Sequence, residues 1–424
     1  MLQALLAGVA SIKAQQTRMN LIGNNLANVN TTAFKGSRIT FQEMIAQTIR
    51  GATRPTSGSL GGTNPIQYGL GVTVGSTDIN LSQGSLQSTN RQTDLAIQGN
   101  GYLMVSNGDR VLFTRDGAMD LDAAGNLIQV ATGERVLGWT ADQFGNVDTS
   151  VAIDASDTIT IPVGSLQAVQ VSTRATFEGN LDAGSLPTDT YRISLRVFDT
   201  LGGAHDVDVT FNNMQSPPGG SPPPGAVSSW DWAAEENGTP IGDSGTTGEP
   251  LYFDADGSLI NQATLQTITV PAGVAPAFDV DLDFSTMSQL YGDTQVQMSE
   301  QNGFPPGSLS TFSIGVDGTI TGFFTNGLTR TLAQLSMAIF PNPAGLERVG
   351  NNLVRASDNS GVPVVGTPRS GGRGGVNAGF LEQSNVDLSS EFTDLIVTQR
   401  GFQANTRVVT TVDEMLQDLL NMKR

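Results

Sequence analysis

A mostly β chain of the α+β class, with helices confined to its two ends, follows from three features of these 424 residues. Residues 1–30 carry apolar side chains at Leu2, Leu5, Val9, Ile12, Met19 and Leu26, a three-and-four spacing broken at Gln16. That spacing lines one face of a helix. Near the other end Leu388, Leu395, Phe402, Val409 and Leu416 recur every seven residues, and Phe392, Val412 and Leu419 widen the stripe. Between the two lie short alternating runs and most of the 50 glycines, the mark of strands and tight turns. The terminal helices are expected to pair as a coiled-coil-like inner domain, with two or more nested β-domains between them.

The first helix should cover about residues 2–28, despite Gly8 and Gly23, each of which costs about 1 kcal/mol relative to Ala. Close packing at those positions would compensate. A short helix is expected around Phe41–Ile49, followed by a Gly/Ser/Thr/Pro connector. From Val72 the period becomes two. Segments Ile97–Val105, Val111–Thr114 and Leu127–Val130 alternate around turns at Asn107-Gly108, Asp116-Gly117 and Gly125-Asn126. Similar Asp-Gly turns recur at 256–257 and 317–318 without a fixed repeat length, so no solenoid is expected. The run SPPGGSPPPG at 216–225 reads as an exposed loop. The second helix begins near Val386, with Ser384 and Asp387 as a capping box.

Charge divides the chain. Residues 147–286 hold 19 acids against Arg174, Arg192 and Arg196, a net of −16 out of −18 for the whole, whereas residues 1–50 carry +4 and 380–424 carry −3. The two ends are electrostatically compatible, and the acidity belongs to one central segment. The expected division is 1–30 with 385–424 as the helical inner domain, and 31–75 as an extended connector. Residues 76–146 with 287–384 form a β-rich middle domain, and 147–286 an acidic outer β-domain inserted into it.

Catalytic and ligand chemistry finds no foothold. There is no cysteine, and the lone His205 sits in AHDVDVTF, where it reads as part of a solvated strand face. The DADG at 254–257 has its glycine too early for a calcium loop and lacks the closing Glu. DVDLDF at 279–284 alternates as a half-exposed strand does, and GNG at 99–101 lacks the rest of a dinucleotide fingerprint. No catalytic, metal or cofactor site is expected, and no enzyme. So acidic a chain, without a basic patch, is not expected to bind nucleic acid. Neither a cleaved signal peptide nor a membrane-inserted span is expected. The chemistry that remains is association through the two stripes. The residues expected to carry it are Leu2, Leu5, Val9, Ile12, Met19, Leu26, Leu388, Leu395, Phe402, Val409 and Leu416, with Leu6, Ile22, Val29, Ile396 and Val408 as flanks that neighbouring copies could cover.

One string stands out. GNNLANVNTTAFK at 23–35, taken alone, reads as a helix end, because Asn and Gly tolerate left-handed dihedrals. It also resembles the signature of the bacterial flagellar rod, hook and hook-associated family in Gly23, Asn24, Asn25, Ala27, Asn28, Thr32, Phe34 and Lys35. Stretches at 69–74, 83–105 and 381–416 resemble the same family, in its order, so the resemblance covers about 1–145 and 300–424. The acidic centre resembles nothing that can be quoted. The resemblance implies a structural, self-assembling helical polymer in the extracellular flagellum. Within that family the resemblance, taken with the chain's length and central insertion, implies a flagellar hook subunit, part of the curved, flexible tube that joins the rod (basal body) to the filament and transmits torque in motility. It implies as partners the chain itself, the distal rod, the hook cap, the hook–filament junction proteins and the export apparatus, with type III export and no cleaved signal. The rival expectations are a distal rod-type axial protein with an unusual insertion and, from another class, a surface adhesin-like β-protein.

Overall fold

The computed structural model describes residues 2–54, 62–142, 144–164, 166–218, 222–260 and 265–422. Its helices are α1 (Leu2–Ala27) and α2 (Leu388–Met422), with strands almost everywhere between them. Helix α2 is capped by one residue rather than by the expected box. Asp387 Oδ1 accepts from the Ser389 and Ser390 amides at 2.8 and 3.4 Å, while Ser384 Oγ serves only the Val386 amide. An Asp at this position satisfies orphan amides and favours the positive end of the helix dipole.

The expected helix at Phe41–Ile49 is instead two strands. Ser37–Glu43 pairs antiparallel with Val72–Ile79, and Ala46–Arg50 with Ile66–Gly69, so the connector doubles back as a two-stranded ribbon. Its tip at 55–61 lies outside the described residues. Thr40, Thr48 and Ile49 in RITFQEMIAQTIR favour extended backbone, and a matching second strand arrives within thirty residues. An isolated ribbon is marginal by itself. Here it leans on α1, where a Cβ at Gly71 would lie 3.2 Å from Ala10 Cβ and Gln3 donates to Tyr68 Oη.

Two β-cores follow. The first joins a nine-stranded sheet centred on Tyr102–Ser106 to a five-stranded sheet centred on Thr319–Phe324. Leu103, Val105, Met119, Leu127, Leu335 and Met337 are fully buried between them. Asn107-Gly108 and Gly125-Asn126 turn hairpins, but Asp116-Gly117 does not. The strands on either side of it do not pair, and Gly117 is needed because its Cα passes against the Leu95 carbonyl. Asp122-x-x-Gly125-Asn126 and Asp142-x-x-Gly145-Asn146 make the same turn, with each Asp Oδ1 accepting the Asn amide at 2.8 Å.

The second core is a sandwich. One sheet runs Gln266–Val270, Phe278–Leu290, Arg174–Asp182, Gln295–Gln301, its central pair parallel. The facing sheet runs Tyr191–Phe198, Ala204–Gln215, Ser228–Glu236, Thr239–Asp243. Phe284 meets Phe211 edge-on at 5.6 Å and Trp232 at 6.0 Å across the gap, which closes the interior with aromatic rings. The boundaries of this unit differ from 147–286. Ile159 and Ile161 lie in the first core, and Gln295–Gln301 is an edge strand of the second. Acid density marks where charge sits, whereas strand pairing decides where a core ends. DVDLDF behaves as expected, with Val280, Leu282 and Phe284 inward while Asp279 and Asp281 accept from Thr269 and Thr267. DADG is a turn, with Gly257 at φ 79°. The 216–225 loop joins Ala204–Gln215 to Ser228–Glu236, with residues 219–221 outside the described set.

His205 is not on a solvated face. Its ring is wedged between two carboxylates, Nδ1 2.6 Å from Glu236 Oε1 and Nε2 3.3 Å from Asp199 Oδ2, with the Phe278 ring edge-on at 5.6 Å. The carboxylates approach opposite ring nitrogens, so the three groups cannot share one metal ion, and among the described residues none of the His and carboxylate groupings suits a metal. Burial of the ring lowers its pKa, but the hydrogen bonds to Glu236 and Asp199 outweigh that and leave it above the ordinary value. A raised folded-state pKa contributes stability that is complete below the unfolded value and is lost as pH rises through the folded one. Thermal unfolding of the second core should therefore shift to lower temperature as pH is raised from mildly acid through neutral and beyond. His205→Gln should flatten that dependence, and an unchanged slope in the variant would contradict the wedge.

Candidate assembly site

Helices α1 and α2 run antiparallel, and polar pairs set their register. Ser11 Oγ accepts from Asn405 Nδ2 at 2.7 Å, Arg18 reaches Asp394 at 3.0 Å, and Asn25 Nδ2 donates to Glu391 at 2.9 Å. Between them a Cβ at Gly8 would stand 3.0 Å from Val409 Cγ2, and one at Gly401 would stand 3.3 Å from Gln15. Gly8, which weakens α1 as an isolated helix, thus lies against α2 where a larger side chain has no room.

The seam differs in detail from the seven-residue stripe. Ile22 of α1 and Thr398 and Val412 of α2 are buried in it, whereas Ala14 is buried on the side of α1 that faces Leu70 and Val72 of the ribbon. Leu5, Val9, Ile12, Met19, Leu26, Leu395, Phe402, Val409 and Leu416 are half-covered, and Leu388 is 42% exposed at the start of α2. The side chains of Leu2 and Leu419 lie outside the described residues. Of the expected flanks, Ile22 is covered by the pair itself and Val29 is half-buried, while Leu6, Ile396 and Val408 remain exposed. Phe392, Val397, Met415 and Leu420 join them, so one pair of helices leaves a broad apolar surface open. No described helix is long and apolar enough to cross a membrane.

The string at 23–35 is more than a helix end. Asn25, 1% exposed, donates to the Ser37 carbonyl and accepts from its amide, tying α1 to the first ribbon strand. Asn28 closes the last turn by donating to the Asn24 carbonyl at 2.9 Å and accepting from Thr31. Thr32 donates to Asp116, and Ala33, at φ 54°, donates its amide to the Glu382 carbonyl. Phe34 is buried beneath the Arg348 guanidinium, 5.5 Å from its ring centre. Gly23, Asn24 and Ala27 are exposed.

Lys35 carries the junction. Its Nζ lies 2.6 Å from Glu382 Oε1 and 2.9 Å from the Ser82 carbonyl, and Arg115 Nε lies 3.4 Å from Glu382 Oε2. The Gly84 amide donates to the same carboxylate at 2.9 Å. Burial presses the Lys35 pKa below its ordinary value, against the opposing pull of Glu382. Glu382, Arg115 and Asn385, which accepts from the Gly36 amide, escaped the reading of the sequence. Glu382 and Asn385 do lie within the 381–416 stretch, but no local pattern announces that a glutamate will be buried.

Family models match four parts of the chain: flagella basal body rod protein at 5–35, and the D1 domain of flagellar hook protein FlgE/F/G at 96–177. The others are the D2 domain of flagellar basal body protein FlaE at 165–304 and the C-terminal region of flagellar basal body rod FlgEFG protein at 377–422. Flagellar hook protein FlgE of Borreliella burgdorferi is 34% identical over 454 aligned positions, and that of Treponema pallidum 33% over 473, each covering 100% of both chains. The crystal structure of Helicobacter pylori flagellar hook protein FlgE2 shares the fold, with a TM-score of 0.50 at 14% identity, over 70% of this chain and 100% of that one.

Two substitutions test this geometry. Glu382→Leu leaves two buried cations without their counter-charge and is expected to cost about 3–5 kcal/mol, read as a lower denaturant midpoint with loss of amide protection at residues 31–36 and 84. Gly8→Val drives a branched side chain into Val409 and should destabilise the helix pair by about 1–3 kcal/mol. Val409→Ala in the same chain should recover most of that loss.

Proposed function

The chain belongs to the flagellar hook protein family, and from that premise we propose that its copies polymerise through their terminal helices into the curved, flexible tube that joins the flagellar rod to the filament and transmits torque. The observation that carries this reading is the uncovered apolar surface of the packed α1–α2 pair, with Phe392, Ile396, Val397, Val408 and Met415 on α2 and Leu6 on α1 all exposed. Burying each such side chain against a neighbouring copy contributes on the order of 1.5–3 kcal/mol. Contacts of this kind are heterologous, and repeated without closure they generate a helical polymer.

On this reading the helix pair lines the inner tube and residues 385–424 pack beside 1–30 of adjacent copies. The ribbon at 31–79 and the first β-core form the middle layer, and the acidic second core projects outward. Bending demands that outer contacts slide while inner ones hold. A domain bearing most of the −18 charge suits the sliding layer, because its lateral contacts are weak, soluble and screened beyond about 8–10 Å. The role is structural rather than enzymatic. The ends of the tube would meet the distal rod, the hook cap and the hook–filament junction proteins. A chain without cysteine has no disulfide to undo before threading unfolded through the flagellar exporter, which fits export without a cleaved signal.

Phe392→Ser combined with Ile396→Ser and Val408→Ser is expected to leave the monomer folded by circular dichroism while abolishing sedimentable polymer. In a strain deleted for the chain, electron microscopy should show rods without hooks or filaments. Intact hooks in that strain would sink the reading.

A further inference from the structure

We propose that Asn237, at the tip of the acidic sandwich, is a site of spontaneous covalent modification, the one Asn-Gly of this chain whose folded surroundings leave the reaction open. The chain has five Asn-Gly pairs, at 100, 107, 237, 302 and 326. The chemistry asks two things of the fold. The backbone nitrogen of the glycine attacks the asparagine side-chain carbonyl carbon, a C–N bond forms, ammonia leaves with the proton given up by that nitrogen, and a five-membered imide results. Water then opens the ring at either carbonyl, giving aspartate or its backbone-extended isomer. The side-chain amide must therefore be free to turn, and the glycine N–H must be free to react.

Four of the five pairs fail on one count or the other. Asn302 Oδ1 accepts from the Thr173 and Arg174 amides and its Nδ2 donates to Thr173 Oγ1. Asn326 Nδ2 donates to the Pro305 carbonyl and its Oδ1 accepts from the Leu328 amide. At 107 the side chain accepts from the Asp109 and Arg110 amides, and the Gly108 N–H is already given to Ser106 Oγ. Asn100 is pinned through its carbonyl, which accepts from the Gly374 amide, and Gly101 is buried beneath Met337.

Asn237 and Gly238 differ. They are the two central residues of the hairpin between Ser228–Glu236 and Thr239–Asp243, with φ of 50° and 77°, the left-handed pair that a tight two-residue turn requires. Both are exposed, and a Cβ placed on Gly238 would meet nothing within 4 Å. Neither the Asn237 side chain nor the Gly238 N–H has a hydrogen-bond partner among the described residues. The product sits in a sensitive place. It adds a negative charge next to Glu235 and Glu236, the latter holding His205, in a domain already strongly acidic. The isomerised product also lengthens the turn backbone, which a two-residue hairpin cannot absorb without losing the Glu236–Thr239 pairing.

The test is peptide mapping by mass spectrometry of the purified full-length chain, folded and held in mildly alkaline buffer, with enzymatic labelling of the isomerised product. Asn237 is expected to convert several-fold faster than any of the other four, and in strong denaturant the five rates should converge. Asn237→Gln, whose longer side chain disfavours the five-membered ring, should remove the dominant modified peptide while leaving the fold unchanged by circular dichroism. Faster conversion at Asn107, Asn302 or Asn326 in the folded chain would overturn the proposal. So would an intact Asn237 under conditions in which a synthetic EENGTP peptide converts.

Discussion

Glu382 is a carboxylate with almost no access to water, and three separate stretches of chain are arranged around it. Lys35 comes from the loop after α1, Arg115 from the end of a strand in the first core, and the Gly84 amide from the segment between ribbon and core. An ion buried alone would be prohibitively costly, so the carboxylate is tolerated only where all of these donors arrive together. Because they come from positions as far apart in sequence as 35 and 382, the cluster can form only when the chain has gone out and returned. It acts as a check on closure. The helix pair and ribbon on one side and the first β-core on the other meet through it.

The same out-and-back logic recurs at every level. Leu86–Ser88 pairs with Phe380–Glu382, Leu95–Gln98 with Gly375–Ala378, and Leu166–Gln170 with Phe304–Ile314. At these three places an outgoing strand is matched by a returning one, so the way out and the way back form a paired ladder rather than single strands. A single strand swivels freely, whereas a ladder resists twist and still bends. The terminal pair divides its surface in a related way. Ser11, Arg18, Asn25, Glu391, Asp394 and Asn405 hold the two helices in register, while Leu6, Phe392, Ile396, Val397, Val408 and Met415 are left outside the seam.

Hydrophobic periodicity located both helices, since α1 ends within a residue or so of the expected position and α2 begins two residues after Val386. It could not show that the covered face of α2 centres on Thr398 and Val412, because a stripe of half-covered residues has the same period whichever edge faces the partner. Strands replace the helix expected at Phe41–Ile49 because ITFQEMIAQTI satisfies a short helical pattern as well as an alternating one. Only the arrival of Ile66–Ile79 beside it decides between them. His205 looked solvated because its own strand alternates. The carboxylates that enclose it come from a turn six residues before it and a strand thirty-one residues after it.

By itself, then, the sequence determined what depends on near neighbours: terminal helices, hairpin turns at Asn107-Gly108, Gly125-Asn126, Asp256-Gly257 and Asp317-Gly318, and a central segment that carries the acid. Its family string also marked the junction at 23–35. Tertiary structure alone decided the boundaries of the second core, the burial of Glu382, the register of the helix pair and which apolar side chains stay uncovered. The physical reason is common to all four. Each is set by groups far apart in the sequence being brought within a few ångströms, and a local pattern carries no record of which distant partner will arrive.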